Sequence, residues 1–309
     1  MERVFKREQK MKLQTTELFK QLSLSNKELI VLDNEQIKKL QNAILSIADD
    51  VIDICEKNNI NYHLTGGSAL GAIRHNGFIP WDDDMDIDVA RKDYDKLIKL
   101  IKEQYGDKYY IHNPKNKDGF NIPATQIRSK NSIVRGCTDA DDRECGAYID
   151  IAIIENTFDN SILRKIHGIG SLTLGFIVSC RKFYKDRKYL LKLVKDNREA
   201  RKIFKIKINF GRFFSFLTLR RWTIIYDCWN KICKNENTKM VTVPTGRKHF
   251  FGELYNREDF FLQTKHKFEG RMWNVPKGYD NYLTQMYGEY MKIPEESKRE
   301  RHVLVNFKI

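Results

Sequence analysis

The chain has 309 residues, of which 41% are hydrophobic, and a formal net charge of +14. This length and composition allow one large domain or two modest ones around a hydrophobic core, and they exclude a disordered protein. The charge favours an anionic partner without choosing among nucleic acid, a membrane surface and an acidic substrate. The six cysteines form no CxxC pair, which indicates reduced thiols rather than a zinc site or a disulfide framework.

The beginning of the sequence gives no sign of export. Its first residues, MERVFKREQKMKLQ, are charged and lack the apolar centre of a signal peptide. The longest apolar run, from Ile169 to Cys180, has twelve residues, whereas a membrane span needs about twenty. We therefore expect a cytoplasmic protein, with residues 1–30 as a polar N-terminal extension.

Hydrophobic periodicity predicts a mixed order of helices and strands. From Glu35 to Lys57 apolar residues recur every three or four positions, as in an amphipathic helix. The later predicted elements are a strand at 61–65, a Gly-Gly-Ser turn with a short helix, an acidic strand, a helix at 92–105, strands at 108–112, 124–129 and 147–154, strand-like pieces at 240–243 and 265–275, and a last helix at 279–287. This order predicts an α/β (α+β) domain on a modest sheet.

The Gly-Gly-Ser turn is typical of a phosphate-binding site. Gly66, Gly67 and Ser68 are small enough for a backbone to approach a phosphate closely. A helix that starts there directs free N–H groups and a partial positive charge at the anion. We therefore expect these three residues to bind the phosphates of a donor.

A run of acids follows the turn. Asp84, Asp86 and Asp88 alternate with apolar residues, so on a strand their carboxylates would share one face. Like charges on one face repel unless a cation lies among them, and oxygen ligands favour Mg²⁺ or Mn²⁺. Asp84 and Asp86 carry this prediction, while Asp82, Asp83 and Asp88 leave open whether they bind the metal, support it or are exposed.

A further carboxylate is expected from a neighbouring strand. Asp150 in GAYIDIAII is the lone acid of an apolar strand, where a charge is unfavourable unless it is paired or metal-bound; the alternative is an Asp that caps a turn. Arg74 would clamp a diphosphate. Arg128 and Lys130 would do the same from the facing strand, or be plain surface. The sequence has no HExxH, GxxxxGK[ST] or GxSxG motif.

Residues 161–239 differ from the rest of the chain in charge. They hold twenty Lys or Arg and five Asp or Glu, a balance of +15, whereas the remaining residues sum to −1. Aromatic residues are interleaved with the basic ones, namely Phe204, Phe210, Phe213, Phe214, Phe216 and Trp222. This pattern is typical of nucleic-acid binding or of a membrane interface with anionic headgroups. A set of surface helices with solvated Lys and Arg is the third interpretation.

The stretch GGSALGAIRHNGFIPWDDDMDIDV resembles the signature of the LicD family, whose animal relatives include fukutin and the fukutin-related protein. The resemblance continues through Tyr94, IRSKNSIV, YIDI, FEGRMWNVPKGYDNYL and YGEYMKIPEESKRERH, and it spans most of residues 35–302. Glu289 departs from the more common YGDYM but keeps the charge. The resemblance implies a nucleotidyltransferase-like fold with a mixed β-sheet flanked by helices. Residues 31–309 would form the catalytic domain, interrupted by a basic helical insert at 158–239.

The resemblance also implies an activity. The enzyme would be a metal-dependent phosphotransferase that moves a phospho-alcohol, typically phosphocholine from CDP-choline, to a hydroxyl of a cell-surface glycan such as teichoic acid, lipopolysaccharide or capsule, releasing CMP. Relatives that use CDP-ribitol transfer ribitol phosphate. Carried over by position, the metal ligands would be Asp82, Asp84, Asp86 and Asp150, with Asp84, Asp86 and Asp150 as catalytic residues. Asp150 would deprotonate the acceptor. Ordinary nucleotidyltransferases instead attack the α-phosphorus and expel pyrophosphate, and this variant stays open.

Two other functions compete with this interpretation. Asp84-Met85-Asp86 would serve as the DxD metal motif of a nucleotide-sugar glycosyltransferase, although the glycine turn just upstream argues against it. The +15 segment would make the chain a nucleic-acid-binding protein, which we rank below both enzymes. In our first interpretation the transferase is peripheral at the inner membrane face, acts on a glycan or a lipid-linked glycan, and contacts the membrane through residues 161–239.

Overall fold

The structure, a computed structural model, describes residues 29–116, 120–296, 299 and 303–309. The predicted extension over residues 1–30 therefore lies almost entirely outside the described residues. The first helix, α1 (Asn34–Lys57), starts at a capping box in which the Asp33 side chain accepts the Gln36 N–H and the Gln36 side chain accepts the Asp33 N–H. Its apolar side is buried, as its periodicity predicts.

The strands and the remaining helices follow in chain order. The strands are β1 (Tyr62–Leu64), β2 (Asp86–Ala90), β3 (Tyr109–His112), β4 (Thr125–Ser129), β5 (Ile133–Gly136), β6 (Tyr148–Asn156), β7 (Met240–Thr242), β8 (Leu254–Asn256), β9 (Gln263–Phe268), β10 (Arg271–Pro276) and β11 (Leu304–Lys308). The helices are α2 (Gly66–His75), α3 (Arg91–Tyr105), α4 (Ser161–Lys185), α5 (Arg187–Leu193), α6 (Arg198–Phe213), α7 (Leu219–Asn230), α8 (His249–Gly252), α9 (Arg257–Phe261) and α10 (Tyr279–Tyr287).

The main sheet is mixed. Its strands run in the order β1-β2-β6-β4-β3, and β7 pairs with the far end of β6 and with β8. The neighbours β2 and β6 are parallel, and the other pairs are antiparallel. One face is apolar, and it packs with α1 and α3 into the main core through Ile87, Val89, Ile127, Ile149 and Ile151. The predicted mixed sheet flanked by helices is thus confirmed.

The opposite face of this sheet carries a polar row. Asp86 on β2 pairs with Asp150 on β6, which pairs with Gln126 on β4, which pairs with His112 on β3. Because paired residues on adjacent strands project from the same face, Asp86 and Asp150 are direct neighbours. Asp150 therefore meets the acidic strand, as predicted, although β6 is longer than predicted and also includes Glu155.

The basic segment is helical. Helices α4 to α7 and the short turn Phe214–Phe216 build two small hydrophobic clusters apart from the main core, one around Phe204 and one around Trp222. A buried ion-pair group ties α7 to the sheet, because Arg91 binds both Glu155 on β6 and Asp227 on α7. No helix in the part of the chain that the structure describes is long and apolar enough to cross a membrane.

Some predicted elements need correction. The acidic strand begins at Asp86 rather than at Asp84, which lies in the preceding loop. The piece predicted at 265–275 is the hairpin β9–β10, whose turn holds Glu269 and Gly270 at φ of 46° and 82°. Strands β5, β8 and β11 were not predicted, because they are short, and β5 and β11 pair with each other from distant parts of the chain.

Candidate active site

The glycine turn brings two carboxylates against the start of α2. A Cβ added to Gly66 would lie 3.0 Å from Oδ2 of Asp86, and one added to Gly67 would lie 2.5 Å from Oδ2 of Asp82. Gly66 also has a φ of +54°, which strains other residues. The φ of Gly66 disfavours a side chain there, and a side chain at Gly67 would displace the Asp82 carboxylate. The partial positive charge of the helix N-terminus favours both acids.

The protein itself uses several polar groups of the turn. The Ser68 hydroxyl is buried and accepts the Asp86 N–H at 2.9 Å. The Gly66 N–H donates to the Tyr282 hydroxyl at 2.6 Å, and that hydroxyl also bonds the Thr65 hydroxyl at 2.5 Å. Ser68 thus positions Asp86. The phosphate-binding role of Gly66, Gly67 and Ser68 stays a prediction.

The acids form a dense cluster. Carboxylate oxygens of Asp82, Asp83 and Asp84 lie within 4.8 Å of one another. Burial raises the pKa of Asp86 well above its ordinary value, and the nearby charges of Asp84, Asp150 and Asp82 raise it further. These oxygen donors, gathered without His or Cys, fit a hard cation such as Mg²⁺ or Mn²⁺. Asp83, left open by the sequence, lies among them and is buried.

Asp88 has a different environment from the other acids. It shares the face of Asp86 but is only 1% exposed, and neither carboxylate oxygen makes a hydrogen bond of normal geometry to a described residue. Burial and the nearby Glu253 raise the pKa of Asp88, while the Thr65 side chain lowers it in part. Asp88 is therefore more deeply buried than the other acids of the run. Strand alternation predicts the face on which a side chain lies but not how deeply it is buried.

The predicted cations divide into two groups. Arg128 is buried on the polar face, where its guanidinium lies 4.7 Å from the centre of the Tyr148 ring and bonds Gln126. Its Nη1 has no hydrogen bond to a described residue and lies 3.6 Å from Oδ2 of Asp139. Because Tyr148 precedes Asp150 by two residues on β6 and both project from that face, Arg128 is well placed to meet an anion.

The other two cations have structural partners. Arg74 donates to the carbonyl oxygens of Tyr290 at 2.6 Å and Lys292 at 3.4 Å, and so holds the segment after α10. Lys130 donates to the Gly106 carbonyl at 2.8 Å, at the end of α3. No contact among the described residues ties Lys130 to the acids, because β4 ends one residue before it.

Two residues that the sequence did not single out face the cluster. The Tyr287 hydroxyl lies 3.8 Å from the Cβ position of Gly66. Burial raises the pKa of Tyr287, Asp86 raises it further, and the cationic Arg247 lowers it. Arg247 belongs to a loop that Glu253 anchors by accepting the Lys248 N–H at 2.8 Å. The only sequence signal for Tyr287 was the YGEYM motif, and none pointed to Arg247.

Comparison with known proteins agrees with this geometry. Residues 59–134 match the family model described as LicD/FKTN/FKRP, nucleotidyltransferase domain. The lipopolysaccharide cholinephosphotransferase LicD of Haemophilus influenzae is 27% identical over 275 residues, which cover 86% of this chain and 95% of that protein. The mouse and human ribitol 5-phosphate transferases FKRP are 41% identical over 64 residues, 21% of this chain and 13% of theirs.

The mixed sheet flanked by helices is consistent with the nucleotidyltransferase label of the matched domain. Residues 59–134 carry a LicD/FKTN/FKRP-type nucleotidyltransferase domain, and the similarity to LicD extends over most of the chain, so the predicted resemblance to the LicD family is confirmed. These relatives are named as phosphotransferases, which agrees with the predicted enzyme class.

Proposed function

We propose that the chain transfers a phospho-alcohol, with phosphocholine as the first candidate, from a CDP-activated donor to a hydroxyl of a glycan, and that CMP is released. The observation that carries the proposal is that Asp82 and Asp84, in the loop before β2, meet Asp86 and Asp150, which are paired on β2 and β6. The similarity to a lipopolysaccharide cholinephosphotransferase supports the choice of alcohol and acceptor. Teichoic acid and capsule are other candidate acceptors of the same chemical kind.

Each side chain has a role in this proposal. Asp150 would accept the proton of the acceptor hydroxyl. The acceptor oxygen would then bond to the distal phosphorus while the bond from that phosphorus to CMP breaks. Arg128, whose Nη1 is without a hydrogen bond to a described residue, would bind the donor diphosphate. The start of α2 would add its N–H groups.

Mg²⁺ or Mn²⁺ would be held by Asp82, Asp84, Asp86 and Asp150. Bound there, it would neutralise negative charge on the diphosphate. The crowding of these carboxylates supports the assignment, because without a cation their repulsion raises the pKa of Asp86. Ser68 and the two glycines also contribute to metal binding in this proposal. Ser68 bonds the Asp86 N–H, and Gly66 and Gly67 leave room for the carboxylates of Asp86 and Asp82 at the start of α2.

We further propose that residues 31–309 form one catalytic domain with an insert at 158–239, and that the protein works peripherally at the inner face of the membrane. The separate hydrophobic clusters of the insert support the division. The excess of positive charge in residues 161–239 supports a contact with an anionic surface.

The test is an assay of CMP release with a panel of CDP-alcohols, in Mg²⁺ or Mn²⁺ and with chelator as control. We expect CMP release with CDP-choline or a related donor, its loss with chelator and its loss in Asp84→Asn. An exposed acid outside the cluster, Asp196, provides the control variant Asp196→Asn, which should keep activity.

Other products would point elsewhere. Pyrophosphate released from CTP would indicate attack at the α-phosphorus. UDP or GDP released from nucleotide sugars would indicate a DxD glycosyltransferase. Salt-dependent RNA binding without any transfer would favour a nucleic-acid-binding protein.

A further inference from the structure

An apolar strip runs along the outer side of α4. Ile162, Ile166, Ile169 and Phe176 lie at helical spacing on one side of this helix and are 40–66% exposed. Thr173 lies on the same side, and its hydroxyl donates to the Ile169 carbonyl at 2.8 Å, so it needs no outside partner. From Ile162 to Phe176 the strip is about 21 Å long.

The strip continues onto α6. The ring of Phe176 meets that of Phe210 edge to face, with their centres 5.7 Å apart. Phe213 and Phe216 follow, and they are 74% and 69% exposed. We name the whole surface the outer strip, and it consists of Ile162, Ile166, Ile169, Phe176, Ile206, Phe210, Phe213 and Phe216.

Positive charge borders the outer strip. The sequence has no acidic residue from 161 to 185 or from 200 to 218. The structure separates the basic and aromatic residues of this segment into buried and exposed ones, which the sequence alone could not do. Phe204, Trp222 and Lys207 are buried and so do not belong to the surface. The exposed bases around the strip are Lys165, Arg201, Lys202, Lys205 and Arg212.

This combination selects one kind of partner. Rings as exposed as Phe213 and Phe216 are unfavourable in water, and a contiguous apolar surface of this kind marks a binding site. An anionic bilayer surface fits both the apolar side chains and the basic ones. The rings enter the boundary of the acyl chains, and Lys and Arg bind the headgroup phosphates. The opposite side of α4 is buried within the protein, so the helix would lie in the plane of the membrane.

We propose that the outer strip docks the protein on an anionic lipid surface, with α4 and α6 lying in the interface. This inference rests on the proposed function, which requires access to a glycan at the membrane. Gly168 of α4 packs directly on the rings of Phe250 and Phe251, just after the loop that carries Arg247. Docking would therefore place this loop of the candidate active site close to the lipid surface.

The test measures flotation of the full chain with vesicles of phosphatidylglycerol and phosphatidylcholine, without donor, metal or glycan. We expect binding to these vesicles and weak binding to pure phosphatidylcholine. The double variant Phe213→Ser/Phe216→Ser should bind about a hundredfold more weakly, roughly tenfold for each ring. The matched control Leu262→Ser/Met272→Ser, which removes two equally apolar side chains, each 53% exposed, should bind like wild type.

A charge series separates the electrostatic contribution. Lys202→Gln/Lys205→Gln should weaken binding to the anionic vesicles by about fivefold for each charge. Lys57→Gln/Lys99→Gln removes two exposed charges elsewhere, with side chains 72% and 75% exposed, and should have little effect. All of these variants should release CMP from the donor as wild type does.

Several outcomes would overturn the docking surface. They are a wild-type chain that does not float with anionic vesicles, equal binding by the Phe213→Ser/Phe216→Ser variant, and conversion of a dimer to a monomer by that variant without any vesicle binding. Asp84→Asn should float like wild type. A chain that floats but transfers nothing would therefore contradict the proposed function and leave the docking surface standing.

Discussion

Asp86 lies where a negative charge is least favourable without a cation. Its pKa is raised first by burial and then by Asp84 and Asp150. In chelator at neutral pH, Asp86→Asn removes this repulsion, so we expect the free energy of unfolding to rise by about 1 kcal/mol or more. Mg²⁺ should stabilise wild type but not the variant, because ligand binding to the folded state adds to its stability. Thermal unfolding with chelator and with Mg²⁺ measures both effects.

The control for this prediction is Asp196→Asn, because Asp196 is 86% exposed and lies outside the cluster. It should change neither the stability in chelator nor the response to Mg²⁺. A variant Asp86→Asn that Mg²⁺ stabilises as much as wild type would show that Asp86 is not a ligand.

Glu253 gives the stability a dependence on pH. Burial raises the pKa of its carboxyl from 4.5 to about 7, although the Lys248 N–H lowers it in part. Between these two values the folded chain binds more protons than the unfolded chain, so stability falls as pH rises through this window. The contribution is about 3 kcal/mol. Glu253→Gln should remove it, because an amide oxygen still accepts the N–H bond without ionising.

Urea unfolding at about pH 5 and about pH 7.5 would measure this difference. We expect the decrease in stability between the two values to be smaller in Glu253→Gln than in wild type. An equal decrease in the free energy of unfolding in both proteins would show that Glu253 is not the source of this pH dependence.

Helix α10 fixes the start of α2 across 216 positions of sequence, because the Tyr282 hydroxyl accepts the Gly66 N–H. Tyr282→Phe leaves that N–H and the Thr65 hydroxyl without this partner. The expected loss is about 1–3 kcal/mol in the free energy of unfolding. Tyr290→Phe, which removes an exposed hydrogen bond to Asp280, is the matched control and should lose less than about 1 kcal/mol. Equal losses in both variants would exclude this role of α10.

The elements that could be predicted from the sequence are those with a local cause. The helices at 34–57 and 279–287 follow from periodicity, and the meeting of Asp86 with Asp150 follows from an acid placed in an otherwise apolar strand. Tyr282 and Arg247 could not be assigned, because their partners lie far away in sequence. The partner of Lys130 could not be predicted either. Lys130 lies just after the end of β4, and its side chain bonds the Gly106 carbonyl instead of lying on the polar face.

At the scale of the whole molecule, the acidic site and the basic segment 161–239 lie on different parts of the structure. The acids of the site lie on the sheet and in the loop before β2, and the bases lie on helices with hydrophobic clusters of their own. These two parts are joined through Arg91, whose Nε lies 3.0 Å from both carboxylate oxygens of Glu155 and whose Nη2 lies 2.7 Å from Asp227. This buried group is therefore one of the contacts that fix the outer strip relative to the site, together with the packing of Gly168 on Phe250 and Phe251.

Arg91→Met tests the contribution of this buried group. It leaves Glu155 and Asp227, which are 2% and 6% exposed, as neighbouring buried charges without their shared cation. The expected loss is about 3–5 kcal/mol in the free energy of unfolding, with faster proteolysis inside residues 158–239 as α7 separates from the sheet. Lys39→Met, which breaks an exposed pair with Glu35, should lose much less stability than Arg91→Met, because solvent screens that pair. Adding Glu155→Gln to Arg91→Met should recover part of the stability, because the buried charge of Glu155 is then gone, while Asp227 keeps its ion pair with Lys231 at 3.3 Å. A loss below about 1 kcal/mol in Arg91→Met would mean that packing alone holds the insert to the sheet.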